Sequence, residues 1–228
     1  VMGDPALYGQ ASEAARGVSD PVERARSLRE VAVASNNQAL FDEARAALEG
    51  VAPGPRAYAL SDLAAASGDA SIAAQIDQAY PDARAAALYR VGQFEEAWAA
   101  AGDIDDIFDR ARAQAAVAGA WGNIDAARRI PDPTLRDLAL RDIAIAEQDV
   151  ALAESIASTY YRVQALTALG QYRAAFEVAE ELRDTYPLRA LAVAWAETDP
   201  QAALAVVDMM DREADRAEAL RAIAVVTG

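Results

Sequence analysis

An arginine returns along this chain at Arg24, Arg56, Arg84, Arg110, Arg136, Arg162, Arg189 and Arg216, with spacings of 32, 28, 26, 26, 26, 27 and 27 residues. Three positions after each stands a small residue: Ser27, Ala59, Ala87, Ala113, Ala139, Ala165, Ala192 or Ala219. The fourth position is Leu in six of the eight copies, and the seventh is Val, Leu or Ile in all but one. Offsets of 0, 3, 4 and 7 lie on one face of a helix, so each copy predicts a helix with one stripe turned inward. Self-similarity at a fixed period of this length means an array of similar units, each too small to bury its apolar face alone.

The predicted first helix usually stops at a glycine or a polar pair, as in "SGD" (67–69), "WGN" (121–123) and "EQD" (147–149), and a second helix follows. "GQFEEA" (92–97) and "GQYRAA" (170–175) mark that turn most clearly. The glycine permits a left-handed turn, the ring of Phe94 or Tyr172 packs on the partner helix, and Ala97 or Ala175 lets the two backbones approach. Asp20-Pro21, Asp132-Pro133 and Asp199-Pro200 supply cap and first-turn residues for new helices. Residues 56–80 match 136–160 at a constant offset of 80, so a three-hairpin block, 56–135, reads as duplicated in 136–215.

The G-x-[FY]-x-x-A signature at 92–97 and 170–175 resembles the second half of a tetratricopeptide repeat, and the hairpin series is similar to TPR-like and HEAT-like α-solenoids. The resemblance implies an all-α fold, an α-α superhelix (solenoid) of about seven to eight short helical hairpins, curved so that first helices line a concave side that holds another protein. With a period of 26 to 28 instead of 34, helices of about 10 to 12 residues are expected. No Gly/Ser/Pro-rich linker interrupts the series, so the sequence reads as a single solenoid domain over 1–228.

Composition removes most alternatives. The chain has neither cysteine nor histidine, so thiolate chemistry and the commonest catalytic base and metal ligand are missing. No metal site or cofactor is expected. All 21 basic residues are Arg, against 36 acids, for a net charge of -15. Such a surface repels phosphate backbones and anionic lipid, which argues against nucleic acid and membrane as partners. An acidic, Lys-free, Ala-rich and Arg-rich composition resembles that of proteins from high-salt or high-GC organisms. With no membrane-length apolar run and no signal-peptide layout, a cytoplasmic location is expected.

The series Arg24, Arg56, Arg84, Arg110, Arg136, Arg162, Arg189 and Arg216 sits on the inward stripe, where each stem is expected to be buried while the guanidinium reaches loop carbonyls or neighbouring carboxylates. Offsets 2, 5 and 6 face outward and carry six Arg against four acids, a local +2 in a strongly acidic chain, with Tyr and Trp interspersed. Arg, Tyr and Trp anchor interfaces most often, so Arg26, Arg29, Tyr58, Tyr89, Arg90, Arg112, Arg141, Trp195 and Arg221 are the candidate residues for binding a protein or peptide. The competing reading is a solvated face with its charges paired internally. The expectation is a scaffold without catalysis. "DDIFD" (105–109) spells the aspartate-rich motif of all-helical prenyl-diphosphate enzymes that use magnesium, which makes a small Mg-dependent enzyme a remote alternative. The termini fall out of phase with the period, which is expected to expose an apolar stripe that includes Leu220, Ile223 and Val226; either the chain is part of a longer array or copies associate head to tail, and the latter makes a self-assembling structural protein a second alternative.

Overall fold

In a computed structural model, which describes residues 5–179, 182 and 185–227, the predicted first helices begin in a common way. Arg24, Arg56, Arg84, Arg110, Arg136, Arg162 and Arg216 each donate the backbone N–H to the carbonyl of the residue four earlier, at 2.9 to 3.1 Å. That places each arginine one turn into its helix. Asp20, Asp106 and Asp132 stand four residues before their arginines, and their side chains accept backbone N–H bonds of the first turn at 2.8 to 2.9 Å. Each such cap stabilises its helix by about 1 kcal/mol. Ahead of Arg56 and Arg84 the corresponding residues, Ala52 and Tyr80, offer no side-chain cap, and Pro53 and Pro81 start the helix instead.

Among the described residues the secondary structure is helical throughout, in sixteen helices. The chain falls into two compact units, Val1–Val117 and Ala118–Gly228. In the first, α1 (Pro5–Arg16) precedes the pairs α2 (Pro21–Ser35) with α3 (Gln38–Ala47), α4 (Pro53–Ser67) with α5 (Ala70–Ala73), and α6 (Pro81–Arg90) with α7 (Phe94–Gly102). α8 (Ile107–Trp121) begins in this unit and carries the division. Each second helix packs on its own first helix, while α1 packs on α2, α2 on α4, and α4 on α6. The second unit contains α9 (Ile124–Arg128), α10 (Pro133–Ala146) with α11 (Val150–Ser155), α12 (Thr159–Ala168) with α13 (Tyr172–Ala179), α14 (Thr185–Ala196) with α15 (Pro200–Asp208), and α16 (Glu213–Thr227). There α10 packs on α12, α12 on α14, and α14 on α16.

The turn between paired helices is built as the sequence anticipates. Gly92 and Gly170 have φ of 80° and 71°, in the left-handed region that a Cβ disfavours. Asn36 and Gln148 take the same region at φ 51° and 55°. A polar residue usually comes next and caps the second helix: Asn37, Asp69, Asn123 and Asp149 each accept a backbone N–H of the new helix. Gln93 gives no such cap. Five residues after Gly68, Gly92, Gly122, Gln148 and Gly170 stand Ala73, Ala97, Ala127, Ala153 and Ala175, all at zero exposure, while the same position after Asn36 is the larger Phe41. Methyl-sized side chains there let the paired helices close tightly, and the larger Leu28, Leu60, Leu63, Ile72 and Leu88 fill the space on either side in the first unit.

Two expectations need correction. Helices of about 10 to 12 residues were expected, but first helices run 10 to 15 residues and second helices as few as four, five and six in α5, α9 and α11. A fixed period cannot hold two long helices, and the longer first helices with their capped connecting loops leave only one turn or so for the second. The lengths 15, 4, 10 and 9 of α4 to α7 nevertheless resemble the 14, 6, 10 and 8 of α10 to α13.

The phase of α14 also differs from the one expected. Counted from Arg189, offsets 2 and 6 should face outward, yet Leu191 is fully buried and Trp195 packs edge-on against Phe176 and obliquely against Tyr172, with centroids 5.9 and 6.1 Å away. The buried set Leu188, Leu191, Ala192 and Ala196 fits the other first helices if the count starts one residue earlier, at Leu188. One residue turns a helix by about 100°, enough to swing Trp195 into the inward stripe. Among the described residues no helix is long and apolar enough to cross a membrane.

Candidate functional site

The series arginines are all half-buried, and three of them hold the loop that precedes their helix. Arg24 donates from Nε to the Val18 carbonyl at 2.8 Å and from Nη2 to that of Ser19 at 3.0 Å. Arg162 does the same to Ile156 at 2.7 Å and Ala157 at 3.3 Å, and Arg110 reaches the Ile104 carbonyl at 3.0 Å. In each case the acceptor residue lies six positions back and carries the last aliphatic side chain before the helix. Ahead of Arg56 and Arg84 the buried Leu48 and Ile76 stand eight positions back instead of six, and the Nε atoms of Arg56 and Arg84 are buried without a hydrogen-bond partner. Arg136 lies 3.9 Å from the buried Asp137 carboxylate, while Arg189, rotated with its helix, pairs at 2.6 Å with Glu218 and lies over the Tyr186 ring.

The outward positions of the first unit converge on two grooves. One, of about 350 Å³, lies between α2 and α4, walled by Arg26 and Arg29 on one side and Tyr58 and Asp62 on the other. The second, of about 450 Å³, lies between α6 and the start of α8, lined by Asp82, Tyr89, Asp105, Asp109 and Arg112 over a floor that includes Ile104 and Val117. A chain of charges links the two. Arg29 stands 3.4 Å from Asp62, Arg90 stands 3.9 Å from the same carboxylate, and the Tyr58 hydroxyl donates to Asp82 at 2.7 Å. That hydrogen bond holds the Tyr58 phenol above the ordinary tyrosine pKa, with partial desolvation and the Asp82 charge adding to it.

The candidates therefore divide. Arg26, Arg29, Tyr58, Tyr89 and Arg112 line the grooves, and Arg90 flanks them. Arg26 and Arg112 are the most open, with side chains 62% and 73% exposed, and their ion pairs to Glu30 and Asp109 sit at 3.4 Å, longer than a good charge-assisted hydrogen bond. In the second unit Arg141 is tied down by Asp142 at 2.6 Å and Gln164 at 2.7 Å, and lies over the Tyr161 ring. Trp195 belongs to the packing described above, and Arg221 is exposed on α16. Sequence reasoning missed Asp82, two residues before its arginine, and read Asp109, one residue before its own, only as part of the "DDIFD" motif. Carrying the outward positions one turn toward the helix start would have found both.

Asp106 of the "DDIFD" stretch is occupied as the cap of α8, accepting from the backbone of Phe108 and Asp109 at 2.9 Å each. Among the described residues no group of three or more His, Cys, Asp or Glu side chains is placed to hold a metal ion.

No protein-family model matches the chain, and comparison with curated proteins finds no match. Among solved structures, Ton1535 from Thermococcus onnurineus NA1 is similar at 14% identity over 97% of this chain and 85% of that one, with a TM-score of 0.39, a likeness too loose to carry an argument about fold or function.

Proposed function

We propose that this chain is an α-solenoid of short hairpins that works as a non-catalytic scaffold in the cytoplasm, holding a segment of another protein against the first helices of the unit Val1–Val117. The observation that carries the reading is the groove between α2 and α4, where two guanidinium groups and an exposed tyrosine ring share one concave wall-to-wall site. Arg and Tyr in a concavity are the composition of interface anchors. The internal pairing of Arg26 and Arg29 is loose, with partners at 3.4 to 3.7 Å, so an incoming carboxylate or carbonyl can take these donors without first breaking a tight bidentate bridge. The sequential packing of first helix on first helix within each unit supports the solenoid arrangement.

The test places a photo-reactive phenylalanine at Tyr58 of the whole chain and irradiates it in extract of the source organism. A discrete protein adduct, identified by mass spectrometry and lost when Arg26→Glu is added, is the expected result. The same probe placed at exposed Glu154 on α11 serves as control. Equal adducts from both positions, or an adduct indifferent to Arg26→Glu, would overturn the reading.

A further inference from the structure

The "DDIFD" stretch spends only Asp106 on folding. Of its other four residues, Asp105 and Asp109 line the α6–α8 groove, while Ile107 and Phe108 lie between them in the chain and are costly to leave in water. Ile107 and Phe108 stand side by side in the first turn of α8, 67% and 68% exposed, whereas most side chains of their size in this unit are buried. Asp105 and Asp109 line the groove beside them, together with Asp82, so three carboxylates face one guanidinium, that of Arg112. Asp105 has no ion pair or hydrogen bond to its side chain among the described residues. The two adjacent side chains make a small exposed apolar patch, and here the rim is anionic, which repels an anionic lipid surface.

We propose that the α6–α8 groove docks a short segment of a partner protein in which an Arg or Lys stands next to a bulky apolar residue. The cation meets Asp105 and Asp82, its aliphatic stem runs along the Tyr89 ring, and the apolar neighbour covers Ile107 and Phe108. Both halves of that chemistry are required. A purely basic segment leaves the two apolar side chains wet, and a purely apolar one buries Asp105 without a counter-charge. The inference rests on the scaffold reading and names the ligand chemistry of one of its two grooves.

Fluorescence anisotropy on the whole chain tests it, using as probe a labelled Gly/Ser-rich peptide with a central Arg-Phe-Leu-Arg, and a counterpart with Glu for both Arg. The Arg peptide is expected to bind and the Glu peptide to fail. Asp105→Asn and Phe108→Ser are each expected to weaken binding by about tenfold, while the charge-matched control Glu154→Gln leaves it unchanged. Equal weakening by Glu154→Gln reduces the effect to diffuse attraction by an acidic chain and overturns the proposal, as does binding of neither peptide. Self-association of the chain that disappears in Phe108→Ser would assign the face to a second copy and overturn it too. An adduct at Tyr58 without peptide binding here refutes only this groove, whereas loss of both refutes the scaffold reading itself.

Discussion

Replacing Arg24 and Arg56 by methionine separates what a guanidinium does from what its stem does. Both residues are half-buried one turn into a first helix of the same unit, and methionine keeps the apolar stem while removing the charge. Arg24→Met deletes a charge-assisted bond of 2.8 Å to the Val18 carbonyl and a second of 3.0 Å to Ser19. Hydrogen bonds to charged groups contribute about 1.5 to 3 kcal/mol net, and the half-exposed setting puts this one at the lower end, about 1.5 kcal/mol. Arg56→Met removes a buried Nε that has no partner, so its cost should be near zero or slightly negative. Urea unfolding followed by circular dichroism should therefore separate the two variants by about 1.5 kcal/mol, a midpoint difference of roughly 0.5 to 1 M. Arg162→Met, which loses bonds of 2.7 and 3.3 Å in the other unit, should behave like Arg24→Met. Equal losses at Arg24 and Arg56 would refute the loop-holding role and leave only stem packing.

Other positions give independent checks. Ala97→Leu forces a larger side chain into the fully buried α6–α7 contact and should cost about 1 to 3 kcal/mol in the same unfolding assay. The phenol of Tyr58, raised by its hydrogen bond to Asp82, should be among the last of the eight tyrosines to ionise in an ultraviolet titration, and Tyr58→Phe should delete that late step. Because the folded value lies above the unfolded one, the stability this bond contributes is fully present below about pH 10 and disappears as pH rises through the folded value. With a net charge of -15, the melting temperature should climb between dilute buffer and molar KCl, and a flat response would detach the acidity from salt adaptation.

Local chemistry was the part of this molecule that could be read from its residues. A glycine before an aromatic, an alanine three residues after that ring, and an aspartate ahead of a proline each specify a backbone state within a few positions. Gly92, Ala97 and Asp132 stand accordingly at a left-handed turn, in a fully buried contact and at a cap. Helical phase was less secure, because it accumulates along the chain. One extra residue between Arg162 and Arg189 turned Trp195 from an expected interface anchor into a packing residue. Within the candidate site, spacing alone could place Arg26 and Tyr58 outward, but it could not show that Asp62 stands between Arg29 and Arg90 or that Tyr58 reaches Asp82, since both contacts join different helices. The unmet Nε atoms of Arg56 and Arg84 were hidden for a related reason, as they depend on where the loop carbonyls fall when the preceding buried Leu48 or Ile76 stands eight positions back instead of six.

The most direct test of the scaffold account is hydrogen–deuterium exchange of the whole chain, alone and bound to the protein captured through Tyr58. The account predicts slowed exchange in α2, α4, α6 and the first turn of α8, whose side chains line the two grooves, with α3, α5 and α7 unchanged. Protection confined to those second helices, or to the unit Ala118–Gly228, would contradict it.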